Sequence, residues 1–311
     1  MKRTALLVLS ALLLPAFLFS AGANDKQAAA NDKRLETVKD KKNMTSMRVS
    51  YLKLLMKDKF EGVCPVAFDI LKNRKEDPKL RVICAEAIDA FDYKPAVDDL
   101  LRIVMQEGAE EDTGKPEDQE EDYDVRIACA KALAGFDDKE VVTQLGQVLG
   151  KLQDARGDVT DAIVDELMKS KFKDDDNVLA GCSLAIKHRK KEIREKVVKV
   201  LGAVNDKKAL PFLMLGMEDK EPSVRILAIG FVAKLGGKLA NVTLIDALEE
   251  EKDNKVREEI ADELLKIEIG GLRKVWMDKL QSYADKDPSP AVKTKLKKAA
   301  ERFKKGSTII K

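Results

Sequence analysis

The stretch Glu221-Pro222-Ser223-Val224-Arg225-Ile226-Leu227-Ala228-Ile229-Gly230-Phe231-Val232-Ala233-Lys234-Leu235 decides how the rest of the chain is read. Steps of 3, 4, 7, 8 and 11 from Val224 select Leu227, Ala228, Phe231, Val232 and Leu235, which form one apolar stripe of an α-helix. The same template from Leu80 selects Ile83, Cys84, Ala87, Ile88 and Phe91. From Val125 it selects Ala128, Cys129, Ala132, Leu133 and Phe136, and from Val292 it selects Leu296, Ala299, Ala300 and Phe303, with Lys295 as an interruption. Ile193 and Val256 open weaker copies, in which Lys196, Glu259 and Glu263 stand on the stripe.

A second apolar run follows each of the better copies. Past Asp92 come Val97, Leu100, Leu101 and Val104; past Asp137 come Val142, Leu145 and Leu149; past Asn205 come Leu210, Leu213, Met214 and Met217. Asp or Asn at the junction suits a helix stop followed by a new cap. Met47, with Tyr51, Leu54 and Leu55, extends the series backward, and Val159 supplies a looser copy. The starts fall at residues 47, 80, 125, 159, 193, 224, 256 and 292, about 34 apart except for one gap of 45. A helix pair of this length cannot bury its stripe alone and must stack on its neighbours.

The runs Glu221-Pro222-Ser223-Val224-Arg225 and Asp122-Tyr123-Asp124-Val125-Arg126, each followed by small residues, resemble HEAT repeats. The short variety found in phycobilisome-lyase-like repeats is the nearest in pattern. The resemblance covers residues 47–304 and implies an all-α fold, a right-handed α-solenoid of about seven stacked antiparallel helix pairs with a terminal capping helix. It implies little about function. Residues 24–46 read as a polar segment or first helix, and 305–311 as a basic tail.

Met1–Ala23 reads as a secretory signal: Lys2 and Arg3, an apolar core over 6–19, and Ala21-Gly22-Ala23 as a cleavage site. An uncleaved anchor is the alternative reading; Pro15 and the small residues favour cleavage. Nothing later is apolar enough to span a bilayer, so no integral span is expected once the signal is gone. The 57 basic and 55 acidic residues leave a small positive balance that the segment itself carries. The mature chain is therefore near neutral, which argues against nucleic acid as a partner. With one His, neither a His-based metal site nor a nucleophile–base pair can be assembled. No catalytic residue, metal or cofactor is expected.

An Arg stands one place after most starts: Arg48, Arg81, Arg126, Arg194, Arg225 and Arg257. Asp77, Asp122, Glu221 and Asp253 lie four residues before their Arg, which suits an acid at a helix N-terminus with an i,i+4 partner. The resemblance adds that such an Arg ties adjacent repeats together. The gap of 45 holds an acidic insertion, residues 107–124, with ten acids and one Lys, and predicts a mobile loop. Cys84 and Cys129 share a template position that takes a small core residue and read as buried free thiols; Cys64–Cys84 is the one pair that invites a disulfide. His188, within Lys187-His188-Arg189-Lys190-Lys191, reads as part of a solvated basic turn.

Candidate binding residues lie on the second helices: Asp99 and Arg102 in one unit, Gln144 and Gln147 in the next, and Phe212 and Leu215 beside Met214 and Met217. An exposed patch of this kind is what a protein-binding groove presents. Trp276 falls on a later second helix at a core position, and the tail from Lys293 carries eight basic residues and one acid, fitting a capping helix with a wet outer face. The expectation is a monomeric, exported, periplasmic or secreted scaffold or adaptor that binds a partner protein without catalysis. A lyase-like role in handling a chromophore, suggested only by the repeat variety, and a structural role in the cell envelope are the alternatives.

Overall fold

A computed structural model of the chain describes residues 14–105, 116–152, 154, 156–266 and 273–305. The expected signal core is described only from Leu14 onward, and residues 306–311 of the basic tail lie outside the described set. Among the described residues there are sixteen α-helices and no strand. In chain order they are α1 (Leu14–Lys39), α2 (Thr45–Lys57), α3 (Cys64–Lys72), α4 (Pro78–Ala90), α5 (Val97–Met105), α6 (Pro116–Gly135), α7 (Lys139–Val148) and α8 (Asp158–Lys169). There follow α9 (Asp176–Ser183), α10 (Lys191–Ala203), α11 (Leu210–Met217), α12 (Pro222–Gly236), α13 (Lys238–Glu250), α14 (Asn254–Leu264), α15 (Arg273–Lys286) and α16 (Pro290–Lys305). The architecture is an all-α solenoid. Seven template copies open on α2, α4, α6, α8, α10, α12 and α14, and the eighth is α16.

Two compact units divide the chain. The first comprises residues 1–103 and 107–137, the second residues 104–106 and 138–311. In the first, α2 packs on α4 and α4 on α6, with α1 against α2. In the second, α10 packs on α12, α12 on α14 and α14 on α16, so first helices stack upon first helices. The core of each unit is the template stripe itself: Leu80, Cys84, Ala87 and Ile88 in one, Val224, Ala228 and Val232 in the other.

The turns inside the pairs follow from local chemistry. Asp92 and Asn205 adopt the left-handed region, with φ of 48° and 55°, and so end α4 and α10 in the way short polar side chains allow. Lys59 does the same at 54° after α2. Asp77, Asp138, Asp175 and Asp253 cap their helices by accepting from backbone N–H two residues on.

Two expectations need correction. The acidic insertion is not a loop throughout, because α6 begins at Pro116 and takes residues 116–124 into the helix. Proline preset for the first turn, with acids behind it, is favoured at a helix N-terminus; residues 107–115 lie outside the described set. In α2 the stripe is shifted by one: Arg48, Leu52 and Leu55 are buried, whereas Met47 and Leu54 face outward. Residues 24–39 form the later part of α1, whose Asn31 and Val38 are buried. The four cysteines are free and buried, and Cys64 and Cys84 are not bridged.

Candidate partner-binding surface

The arginine ladder is built between repeats. Arg48 is bidentate to Glu76 (2.7 and 3.3 Å), Arg194 to Asp219 (2.6 and 2.9 Å), Arg225 to Glu251 (both 2.8 Å) and Arg257 to Asp287 (2.8 and 3.4 Å). Each acid lies 25 to 30 residues after its Arg, in the turn that leads into the next first helix. The same guanidinium groups also donate to carbonyls at the start of their own helix: Arg194 to His188 O and Arg189 O, Arg225 to Asp219 O, and Arg257 to Lys252 O. Arg81 donates to Leu71 O at 2.9 Å, and Arg126 lies over the Tyr123 ring, 5.4 Å from its centroid. For Arg225 and Arg257 the acid four residues back is therefore not the partner. Asp253 caps α14 instead, accepting from Lys255 N–H and Val256 N–H. The side chain of Asp122 lies outside the described set.

These pairs are buried or, for Arg225 and Glu251, partly buried, and the chemistry shows it. The Arg48 hydrogen bond holds the Glu76 carboxyl below its ordinary value despite burial. At Asp219 burial pushes upward, but the Arg194 hydrogen bond and the Glu221 N–H outweigh it, so the net shift is downward. A polar cleft of about 510 Å³ opens over the first rung, lined by Lys41, Arg74 and Lys75 with Arg48 and Glu76.

One repeat departs from the ladder. Thr160 holds the position of the Arg, and the turn before α10 offers His188, Arg189 and Lys190 in place of an acid. His188 is not a solvated residue there. Its Nδ1 accepts from Lys190 N–H at 3.1 Å, which leaves Nε2–H to donate to Asp154 O at 3.1 Å. The Lys190 Nζ donates to Arg156 O. The buried Asp154 carboxylate in turn accepts from Gly157 N–H, Thr160 N–H and Thr160 Oγ1. Cations and an imidazole reaching backbone carbonyls thus join these two repeats.

The two lysines that interrupt the stripe are also inter-repeat ties. Lys196 reaches Asp161 (2.6 Å) and Asp165 (2.7 Å) on α8; Lys295 reaches Glu258 (2.8 Å) and Asp262 (2.6 Å) on α14. Both lysines hold one template position, and both pairs of acids hold the same two positions on the preceding first helix. Glu259 has no such cation on the preceding α12, and desolvation, then Glu263, raises its carboxyl.

The candidate binding residues fall in different settings. Asp99 and Arg102 pair with each other on α5 at 3.4 Å. Gln144 on α7 donates to Glu140 at 3.5 Å, and Gln147 is exposed. Phe212, Met214 and Met217 are half-buried on α11, whereas Leu215 is 43% exposed. Trp276 is buried, edge-on to Phe303 at 5.9 Å, and belongs to the core under the capping helix α16.

Three further residues join Leu215 on the second helices: Leu239 and Val242 on α13, 53% and 39% exposed, and Val275 on α15, 53% exposed. Their setting follows from two contacts that register α13 against α15. Lys279 meets Asp246 at 3.1 Å and Tyr283 donates to Glu249 at 3.2 Å. One turn earlier in the same register stand Val275 and Val242, side by side. The signal was present in the sequence. Ala240, Leu244, Ile245 and Leu248 fill the buried stripe of α13, so Leu239 and Val242 are left for the other face.

A family model described as HEAT repeats matches residues 179–265, from within α9 to the end of α14. No curated protein matches the chain. Among solved structures, human deoxyhypusine hydroxylase in complex with glycerol is 16% identical, over 91% of this chain and 99% of that one, with a TM-score of 0.35. Two engineered proteins are each 14% identical, over 89% of this chain and 99% and 97% of theirs, with TM-scores of 0.32. Within its all-α solenoid, the chain is thus similar over residues 179–265 to HEAT repeats.

Proposed function

We propose that this chain is an exported, non-enzymatic scaffold or adaptor that binds a partner protein along its second helices. The observation that carries this reading is the set of large apolar side chains, Leu215, Leu239, Val242 and Val275, presented to solvent by α11, α13 and α15. HEAT repeats serve protein interaction in general, which supports the same class of work. Thiol chemistry is disfavoured by burial, which pushes Cys64 up to about 11 and Cys182 up to about 12. A thiol held there is not a nucleophile at neutral pH. The Met1–Ala23 segment supports export, and the periplasm or the medium is the corresponding place of work.

The test is cross-linking of the exported fraction followed by mass spectrometry, which is expected to return one dominant protein neighbour. Leu215→Asp is the better probe than a change at the half-buried Phe212, because an exposed site can be charged without disturbing the core. It is expected to remove the cross-link while leaving helicity unchanged. A cross-link that survives in Leu215→Asp, Val242→Asp and Val275→Asp alike refutes the surface.

A further inference from the structure

The edge of the first unit, where α1 turns into α2 and α3 into α4, concentrates positive charge that the fold does not use. Residues 39–48 and 72–79 carry eight bases and three acids, in a chain whose totals are 57 and 55. These two turns enclose the cleft of about 510 Å³, a volume within the range of small-ligand sites. All three acids are already engaged. Glu76 accepts from the buried Arg48 and meets Lys41 at 3.6 Å, Asp77 accepts from Lys79 N–H at 2.8 Å, and Asp40 from Lys42 N–H at 2.9 Å. Lys39 and Lys72 are taken up by Glu36 and Asp69. Arg74 and Lys75 line the cleft and stand exposed, with no carboxylate paired to either among the described residues. The lining as a whole, Lys41, Arg48, Arg74 and Lys75 against Glu76 and Asp77, keeps a positive excess.

An apolar tip stands at the rim of the same cleft. Met44, between the lining residues Asn43 and Thr45, holds the N-cap of α2, is 68% exposed and makes no side-chain cap bond. A short polar side chain would cap the helix at that place, so methionine there does not serve the helix. Met47, three residues on and 39% exposed, stands on the same side of α2. Beyond it α2 has no acid along its length and presents Lys53, Leu54 and Lys57 to solvent; Glu86, the one exposed acid of α4, stands about two turns in from the edge. Unpaired cations around an exposed apolar tip suit a protein that rests on a negatively charged bilayer. We propose that this edge is a peripheral membrane-binding site: the cleft takes the phosphate of an anionic lipid headgroup among Lys41, Arg74 and Lys75, while Met44 and Met47 enter the acyl boundary. A free phosphate would satisfy the cations and leave Met44 in water; a lipid accounts for both. The site is separate from the partner surface on α11, α13 and α15, which belongs to the other unit.

The test is co-sedimentation of the chain recovered from the exported fraction with lipid vesicles. Vesicles of phosphatidylcholine with about 30% phosphatidylglycerol are expected to bind it about tenfold or more tightly than phosphatidylcholine alone. Each cation near an anionic surface contributes about fivefold, so Arg74→Gln with Lys75→Gln is expected to weaken binding to the mixed vesicles about twentyfold. Met44→Ser is expected to weaken it about fivefold or more. The thermal midpoint of Met44→Ser is expected to hold or rise, because Ser supplies the missing cap of α2. Equal binding to the two kinds of vesicle, binding to the mixed vesicles that either variant leaves unchanged, or no binding at all overturns the site. Inorganic phosphate is the further arm. A thermal midpoint that phosphate raises in the wild type but not in Arg74→Gln with Lys75→Gln, without vesicle binding, assigns the cleft to a soluble anion and overturns the membrane contact.

Discussion

Arg194 and Asp219, with side chains 4% and 6% exposed, show what one rung contributes. Removing a buried acid leaves a guanidinium without its countercharge, at a cost of about 3–5 kcal/mol. Asp219→Ala is thus expected to lower stability in denaturant unfolding by that amount. Glu221→Ala, four residues before Arg225, is expected to cost under about 0.5 kcal/mol, since Glu221 makes no side-chain cap bond and Arg225 is held by Glu251. Equal losses in the two variants would return the ladder to the local i,i+4 pairing. The arginines were legible because they recur one place after six of the eight starts. Their acids were not, because they lie 25 to 30 residues away in turns of varying length, while a nearer acid satisfies the same helix-start logic.

A close backbone approach between helices is that of α7 and α9, where Gly146 and Gly181 meet. A Cβ on Gly181 would lie 2.7 Å from the Cα and carbonyl carbon of Gly146, atoms that cannot rotate away. Gly181→Ala must therefore push the helices apart, and is expected to cost about 1–3 kcal/mol in thermal or denaturant unfolding. A wild-type midpoint in that variant would mean the helices are not in contact there. Periodicity made the existence and faces of most first helices legible, but it passed over α13, whose outward Leu239 and Val242 emerge only when its buried stripe is counted out. It placed the start of α6 too late, because a run of acids reads as repelling coil until Pro116 is seen as a first-turn residue. It also misplaced the face of α2, where Arg48 itself is buried and carries the stripe one residue along.

Within each unit the first helices form a row of nearest-neighbour ties, so the response of the molecule to pH is the sum of opposing carboxylates. Glu76 and Asp219 are held below their ordinary 4.5 and 3.8. Their contribution is complete above those values and is lost as pH falls through the depressed ones. Glu259 has the opposite sign: its raised value makes the ionised form a penalty at neutral pH that disappears as pH falls. Thermal midpoints are expected to fall as the pH drops below about 4. Glu259→Gln is expected to raise the midpoint at pH 7 and to bring no gain in acid; a gain independent of pH would contradict this assignment. The architecture was the most legible level of all, because one period repeated eight times outvotes any single misread helix. The buried thiols carry one further consequence. Cys64, Cys84, Cys129 and Cys182 sit on α3, α4, α6 and α9, sealed from solvent and unbridged. A thiol reagent can reach each of them only when its own helix pair opens. The chain therefore contains four native clocks, whose separate labelling rates would map where along the row it first comes apart.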